Sequence, residues 1–269
     1  VMGAHRAAGA VAMNCAVDVG IEALTQSASA MIWIRRMTHC GAMGQYLERA
    51  ALHGAIAMAW TAGQPLMAYH GTARAAATTG PLVMAAPGPD GKPIVLDMAT
   101  SDISFSRLRQ ARRLGQPLPP DSALDAQGHP TTDADKAVTP LPIAGPKGAG
   151  IALMFEMMTS LVLGNPITEP YLNAKGRPRH GQNAFLMLAR VDAFSVDGSR
   201  YNEDVKALVE TLRGQPRSQG VEEILMPGER RRRSRERHEA GAWIEVNPVT
   251  WGELCDRARQ SGVNPPEVG

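Results

Sequence analysis

Two periods of apolar spacing run along this chain, and their alternation lays out its elements. Arg6 to Ser27 carries Ala and Val at helical spacing, with Gly9 and Gly20 as weak points, and predicts a helix. Ala30 to Arg36 is a compact apolar run that predicts a buried strand. Ala42 to Leu52 returns to helical spacing and stops at His53-Gly54, and Ala55 to Ala62 predicts a second strand. Pro81 to Ala86 and Pro93 to Met98 are apolar runs joined through Asp90-Gly91. Both residues tolerate positive φ, so the pair predicts a hairpin. Asp102 to Leu114 predicts a basic amphipathic helix capped by Ser101 or Asp102. Gly115 to Val138 predicts a long loop rich in Pro, Asp and Thr, a type that more often serves function than decoration.

Gly148 to Leu163 is apolar on every side and predicts a buried helix. Beyond it lie a strand over Ala184 to Val191, a helix over Asn202 to Leu212 and a short strand over Val221 to Met226. A charged helix over Glu229 to Ala240 follows, and a last helix opens on Asn247-Pro248, cap and first helical residue. Helices and strands are mixed and many connections are short, which predicts a mixed α/β layer fold with a largely antiparallel sheet flanked by helices. No GxGxxG opens a strand–helix unit, so the ordinary dinucleotide fingerprint is missing.

Composition narrows the classes. A chain of 269 residues with 44% hydrophobic content can bury a sizeable core as one large domain or two small ones. Aromatics make up 4% and Met numbers 14, so the core is aliphatic with Met filling gaps. A formal charge of +2 calls for neither nucleic acid nor an anionic membrane. Cys15, Cys40 and Cys255 lie far apart, without zinc spacing or an even count, which points to a reducing, cytoplasmic setting. No apolar stretch reaches the ~18 residues of a membrane helix; the longest, Ile151 to Gly164, carries Glu156. His5, Arg6, Asp18 and Glu22 speak against a signal peptide at the start, and the opening at Val1 reads as a shortened N-terminus or ordinary processing.

His39 is the first candidate for chemistry. It follows a predicted strand and precedes Gly41 and Gly44 and a helix, where an α/β enzyme can place a proton-transfer group. Leu96-Asp97-Met98-Ala99-Thr100-Ser101 ends a strand and can hold a ribose or an amide, or simply cap a helix. In Leu141 to Gly150, small residues let a ligand approach the backbone. Lys147 there can pair with a phosphate or polarise a carbonyl, or be a solvated lysine in a turn. Pro227-Gly228-Glu229-Arg230 makes a turn into a helix. The arginines of Arg230 to Arg237 could meet nucleic acid, but interleaved Glu229 and Glu236 favour a solvated face with local ion pairs. Asp121, Asp125, Asp133 and Asp135 match no calcium loop and suit turn chemistry, so no metal is expected. Glu156 reads as a paired or partly exposed acid, and no GxSxG is present.

In this order the runs Met37 to Ala42, Ile94 to Thr100, Leu141 to Gly150 and Pro227 to Arg230 resemble the malate/L-lactate dehydrogenase family of the second type, nearest its ureidoglycolate dehydrogenase-like members. The resemblance covers nearly the whole chain. It implies a non-Rossmann NAD(P)-binding fold. It also implies one catalytic unit over 1–269, with a core over 30–191 and a helical part over 192–269 returning to the cofactor site. The implied activity is hydride transfer between NAD or NADP and a small 2-hydroxy acid or 2-keto acid, with reduction of a cyclic imine acid or a diketo sugar acid as the alternative. A homologue that binds a ligand or partner without turnover is a further alternative. His39 matches the family's general base. Asp97, Met98, Ala99, Lys147, Gly148, Gly228, Glu229 and Arg230 match cofactor-binding positions. Implied partners are a small carboxylate substrate and a second copy in a homodimer, with neither nucleic acid nor membrane.

Two departures stand out. Family members begin with a segment bearing a Ser-His-Gly motif and a substrate-binding arginine, expected here to lie before Val1. Runs that carry polar ligand contacts in the family read Thr61-Ala62-Gly63-Gln64 and Thr78-Thr79-Gly80-Pro81.

Overall fold

A computed structural model describes residues 1–174, 181–194 and 200–265. The chain divides into two compact units, Val1–Glu229 and Arg230–Gly269. The first unit begins β1 (Met2–Gly3), α1 (Gly9–Ala23), β2 (Ser29–Met37), α2 (Gly44–Leu52), β3 (Ala55–Ala62), β4 (Pro65–Ala68), β5 (Ala75–Thr78), β6 (Leu82–Ala86) and β7 (Ile94–Met98). It continues α3 (Phe105–Leu114), β8 (Ala123–Leu124), β9 (Thr139–Pro140), α4 (Pro146–Phe155), a π-helical turn (Glu156–Leu161) and α5 (Thr168–Asn173). β10 (Gln182–Arg190), α6 (Val191–Phe194) and α7 (Tyr201–Arg213) complete it. α8 (Glu229–Glu239) straddles the division, and α9 (Pro248–Gln260) lies in the second unit.

One six-stranded sheet runs β1-β2-β10-β3-β6-β7. Every neighbouring pair is antiparallel except β1 with β2. Side-chain alternation sorts its faces. Ile34, Ala59, Val83 and Leu186 point into a core closed by Met13 and Val17 of α1 and Leu47 of α2. Trp33, Trp60 and Phe185 point the other way, against Ile151 and Phe155 of α4. There Trp60 stacks on Phe155 at 5.2 Å and on Phe185 at 4.4 Å, each such pair worth about 1 kcal/mol beyond its buried area. The Trp60 indole N–H donates to Thr159 Oγ1 at 2.7 Å, which fixes the π turn on the sheet.

The mixed, mainly antiparallel sheet agrees with the sequence pattern, and so does the hairpin. β6 pairs with β7 from Leu82↔Met98 to Ala86↔Ile94, and Asp90 and Gly91 sit at φ 57° and 68°. Four expectations need correction. α3 starts at Phe105, and its cap is Ser104, whose Oγ accepts the Arg107 N–H, because Ser101 spends its hydroxyl on the Ile103 carbonyl. The loop Gly115–Val138 is anchored: β8 pairs with β9, and Leu118, Ala123, Ala134 and Ala137 pack with Leu108. Val221–Met226 forms no strand. The apolar helix after Gly148 is buried on one side only: Leu153, Met154, Met157, Met158 and Leu161 are between 44% and 51% exposed.

In the second unit no described residue is buried. Asn247 caps α9 by accepting the Val249 N–H, as its sequence predicts. Along α8, Arg232 pairs with Glu236 and Arg235 with Glu239 one turn on, the arrangement of a solvated face. Among the described residues no helix is long and apolar enough to cross a membrane.

Candidate functional site

The pairing register gathers five strand ends. Gln182 faces Met37, Asn183 faces Ala62, and Leu82 faces both Trp60 and Met98. The C-terminal ends of β2, β3 and β7 and the N-terminal ends of β6 and β10 therefore share one end of the sheet. His39, Asp97 to Ala99, Lys147 and Gly148 cluster there, whereas Gly228 packs over Val95, near the other end of β7.

His39 lies in the loop Thr38–Met43 between β2 and α2. The loop is tied at its start, where the Thr38 N–H donates to the Ala7 carbonyl at 3.1 Å and its Oγ1 accepts the Gly9 N–H at 3.2 Å. Glycine is required at Gly9, because a Cβ would lie 2.4 Å from the Thr38 carbonyl oxygen. In the middle, the Tyr46 hydroxyl donates to the Cys40 carbonyl at 2.6 Å. At the far end, the Gly44 N–H donates to Asp97 Oδ2 at 2.7 Å. The His39 ring is exposed, and its Nδ1 accepts the Gly41 N–H at 3.2 Å. A neutral ring held so carries its proton on Nε2. Next to it Cys40 is buried, and burial pushes its thiol up to about 11, helped by the Asp97 charge. That thiol is protonated at neutral pH and unsuited to nucleophilic attack.

Asp97, Met98 and Ala99 end β7 and lead into Thr100, whose carbonyl accepts the Ile143 N–H at 2.9 Å. The bridge Ser101↔Pro142 and the Asp102 N–H donating to the Leu141 carbonyl lay Leu141–Ile143 beside this segment. The chain then turns at Gly145, φ 60°, into α4. A Cβ at Gly148 would meet the carbonyl oxygens of Thr100 and Ile143 at 2.6 Å, so only glycine lets the start of α4 sit this close to the end of β7. Lys147 in that first turn is exposed and forms no ion pair among the described residues. Lys147 thus sits in the turn at the positive end of the α4 dipole, and its charge and that dipole together can hold an anion.

Gly228, at φ 82°, lies over β7, where a Cβ would be 2.8 Å from the Val95 carbonyl oxygen. The Pro227 carbonyl accepts the Val95 N–H and so covers part of the free edge of β7. Glu229 is buried, and its carboxylate accepts from Arg213 at 2.9 and 3.0 Å and from the Met226 N–H at 3.0 Å. Arg230 belongs to the second unit.

At this end, sequence reasoning named Thr78 only within a departing run and passed over His70. Thr78 Oγ1 accepts the N–H groups of Gly63 and Gly80, and its carbonyl accepts the Thr100 hydroxyl, so one threonine joins both departing runs to the segment after β7. A Thr-Gly-Pro turn after an apolar run was its signal. His70 lies against Gly145, with Nδ1 at 3.5 Å from a Cβ built there; nothing in the local pattern marks it. Glu156 is buried, and its Oε1 accepts the N–H groups of Ile167 and Thr168. In the long loop, Asp125 and Asp133 accept N–H groups two residues on, as turn acids do, and no group of metal-binding side chains forms among the described residues. Cavities of about 490 and 520 Å³ lie at the opposite end of the sheet, around Gly54 and Pro87.

Similarity to known proteins extends over most of the chain. The L-lactate dehydrogenase of Cupriavidus necator is 31% identical over 257 residues, which cover 91% of this chain and 71% of that one. The ureidoglycolate dehydrogenase (NAD(+)) of Escherichia coli is 33% identical over 166 residues, covering 62% of this chain and 48% of the relative. The solved structure of sulfolactate dehydrogenase from Methanocaldococcus jannaschii superposes with a TM-score of 0.79 at 26% identity, over 94% of this chain and 72% of that one. The model of the family described as malate/L-lactate dehydrogenase matches residues 1–255, and the chain belongs to that family.

Proposed function

We propose that this chain is an NAD(P)-dependent oxidoreductase acting between a small 2-hydroxy acid and its 2-oxo partner, of the malate, lactate or ureidoglycolate type. The observation that carries the reading is the convergence of the His39 loop, the end of β7 and the lysine-bearing start of α4 at one end of the sheet. The residues present suit a dinucleotide. Lys147 is a cation without an acid partner among the described residues, set at the positive end of a helix. Asp97 to Ala99 lead into the segment that abuts that start, while Gly228 lies over Val95 earlier on β7, and Glu229, through Arg213 and Met226, holds the glycine turn in place.

A bound nicotinamide supplies or accepts the hydride at C2. His39 handles the proton. With Nδ1 taken by the Gly41 N–H, the neutral ring donates an Nε2–H hydrogen bond to the keto oxygen of a 2-oxo acid; the proton itself is delivered by the imidazolium, which has given up the Gly41 contact and is left neutral with its proton on Nδ1. In the oxidative direction the ring gives up the Gly41 contact, and Nε2 accepts the hydroxyl proton. The exposed Leu153, Met154, Met157, Met158 and Leu161 support a homodimer that covers them, since a contiguous apolar strip of this kind marks an interface. The free thiols of Cys15, Cys40 and Cys255 suit a cytoplasmic setting.

Two measurements test this reading. Lys147→Glu is expected to weaken NAD(P)H binding at least tenfold, roughly 1.4 kcal/mol or more, in a fluorescence titration; unchanged affinity would remove Lys147 from the site. Met157→Glu combined with Leu161→Glu is expected to convert a dimer to a monomer in sedimentation velocity. A dimer that survives both changes places the interface elsewhere.

A further inference from the structure

We infer that Asp97 is the positioning residue of His39: it anchors the loop that carries the base to the strand end along which the cofactor runs. The inference rests on the reading above. β2 and β7 are separated in the sheet by β10, β3 and β6, so the loop leaving β2 must be held across the end of the sheet before α2 begins. α2 has no side-chain cap of its own, because Met43 stands at the cap position. Asp97, 53 residues away, supplies the acceptor at 2.7 Å to Gly44, the first residue of α2.

His39 is thereby confined between two anchors, Thr38 on the Ala7–Gly9 segment and Gly44 on Asp97. Gly41 lies between them, and its N–H sets the ring through Nδ1. If the far anchor goes, the segment that orients the imidazole is fixed at one end only. Asp97 Oδ2 is the atom that serves the loop, and the residue is exposed, which leaves Oδ1 open to a cofactor. The two roles predict different kinetics, because an anchor acts on the proton-transfer step while a ribose ligand acts on nucleotide affinity.

The test compares wild type, Asp97→Ala and Asp97→Asn. Nucleotide affinity is read by fluorescence, kcat at saturating nucleotide by turnover of a 2-oxo acid, and loop order by hydrogen exchange at Gly41–Gly44. The alanine variant is expected to lose roughly ten- to a hundredfold in kcat at saturating nucleotide, with faster exchange in the loop. The asparagine variant still offers an amide oxygen to Gly44, and is expected to recover most of kcat and of the protection. Weaker nucleotide binding with kcat intact would overturn the inference and make Asp97 a cofactor ligand alone. Unchanged exchange in Asp97→Ala would overturn it whatever the turnover. If wild type turned over no 2-oxo acid, the proposed activity would fail while the exchange comparison still decided the role of Asp97. Should the alanine variant not fold, Asp97→Glu keeps the charge but misplaces the acceptor, and the same exchange loss is expected.

Discussion

Replacing His39 with Gln is expected to lower kcat by about two to four orders of magnitude, the usual worth of a positioned acid–base group. Nucleotide affinity should stay where it is. The ring is exposed at the end of the sheet and packs into no core, so the variant should fold normally. Gln can still offer an N–H toward a keto oxygen, but it cannot deliver or accept a full proton. Substrate binding should therefore suffer far less than kcat. A loss confined to KM would instead mark His39 as a binding group and move the proton transfer to another residue, with His70, beside Gly145, the first to examine.

Gly148→Ala is expected to damage both stability and nucleotide binding. The added carbon would lie 2.6 Å from two carbonyl oxygens, those of Thr100 and Ile143, and neither is a side chain that can swing aside. Relief requires the start of α4 to move off the end of β7. Overpacking of this kind costs about 3 kcal/mol, visible as a lowered Tm. The same shift would carry Lys147 away from Asp97–Ala99, so NAD(P)H affinity should fall beyond what partial unfolding explains. Gly150→Ala, roughly half a turn on with nothing within 4 Å of its Cβ, is the control and should leave both quantities nearly unchanged. Equal effects at both glycines would contradict the packing argument.

Legibility in the sequence followed the range of the interactions. The Asp90-Gly91 hairpin was readable because two adjacent residues decide it, and the Asn247 cap because the donor sits two residues on. β4, β5, β8 and β9 were not readable. They are two to four residues long, and partners across loops, not their own pattern, make them strands. Val221–Met226 is apolar enough for a strand but pairs with no strand among the described residues, and the backbone bond to β7 comes from Pro227 beyond it. The helix after Gly148 misled because apolar residues surround it. The sheet takes one side, and the other is left for whatever covers it.

The site divides in the same way. His39, Lys147, Gly148 and Gly228 stand in glycine-marked turns, which local reading can find. What joins the first three is long-range: Asp97 to Gly44, Thr78 to Gly63, Gly80 and Thr100, and Thr100 to Ile143. Asp97 drew notice as a strand-end acid beside hydroxyl residues. Its bond to the start of α2 could emerge only once the strands were in register.

The most direct measurement of the central claim is a titration of the folded chain with NADH and with NADPH, followed by nucleotide fluorescence. Saturable binding of one of them, weakened by Lys147→Glu and untouched by His39→Gln, is the predicted result. A flat response to both nucleotides from a folded sample would contradict the account.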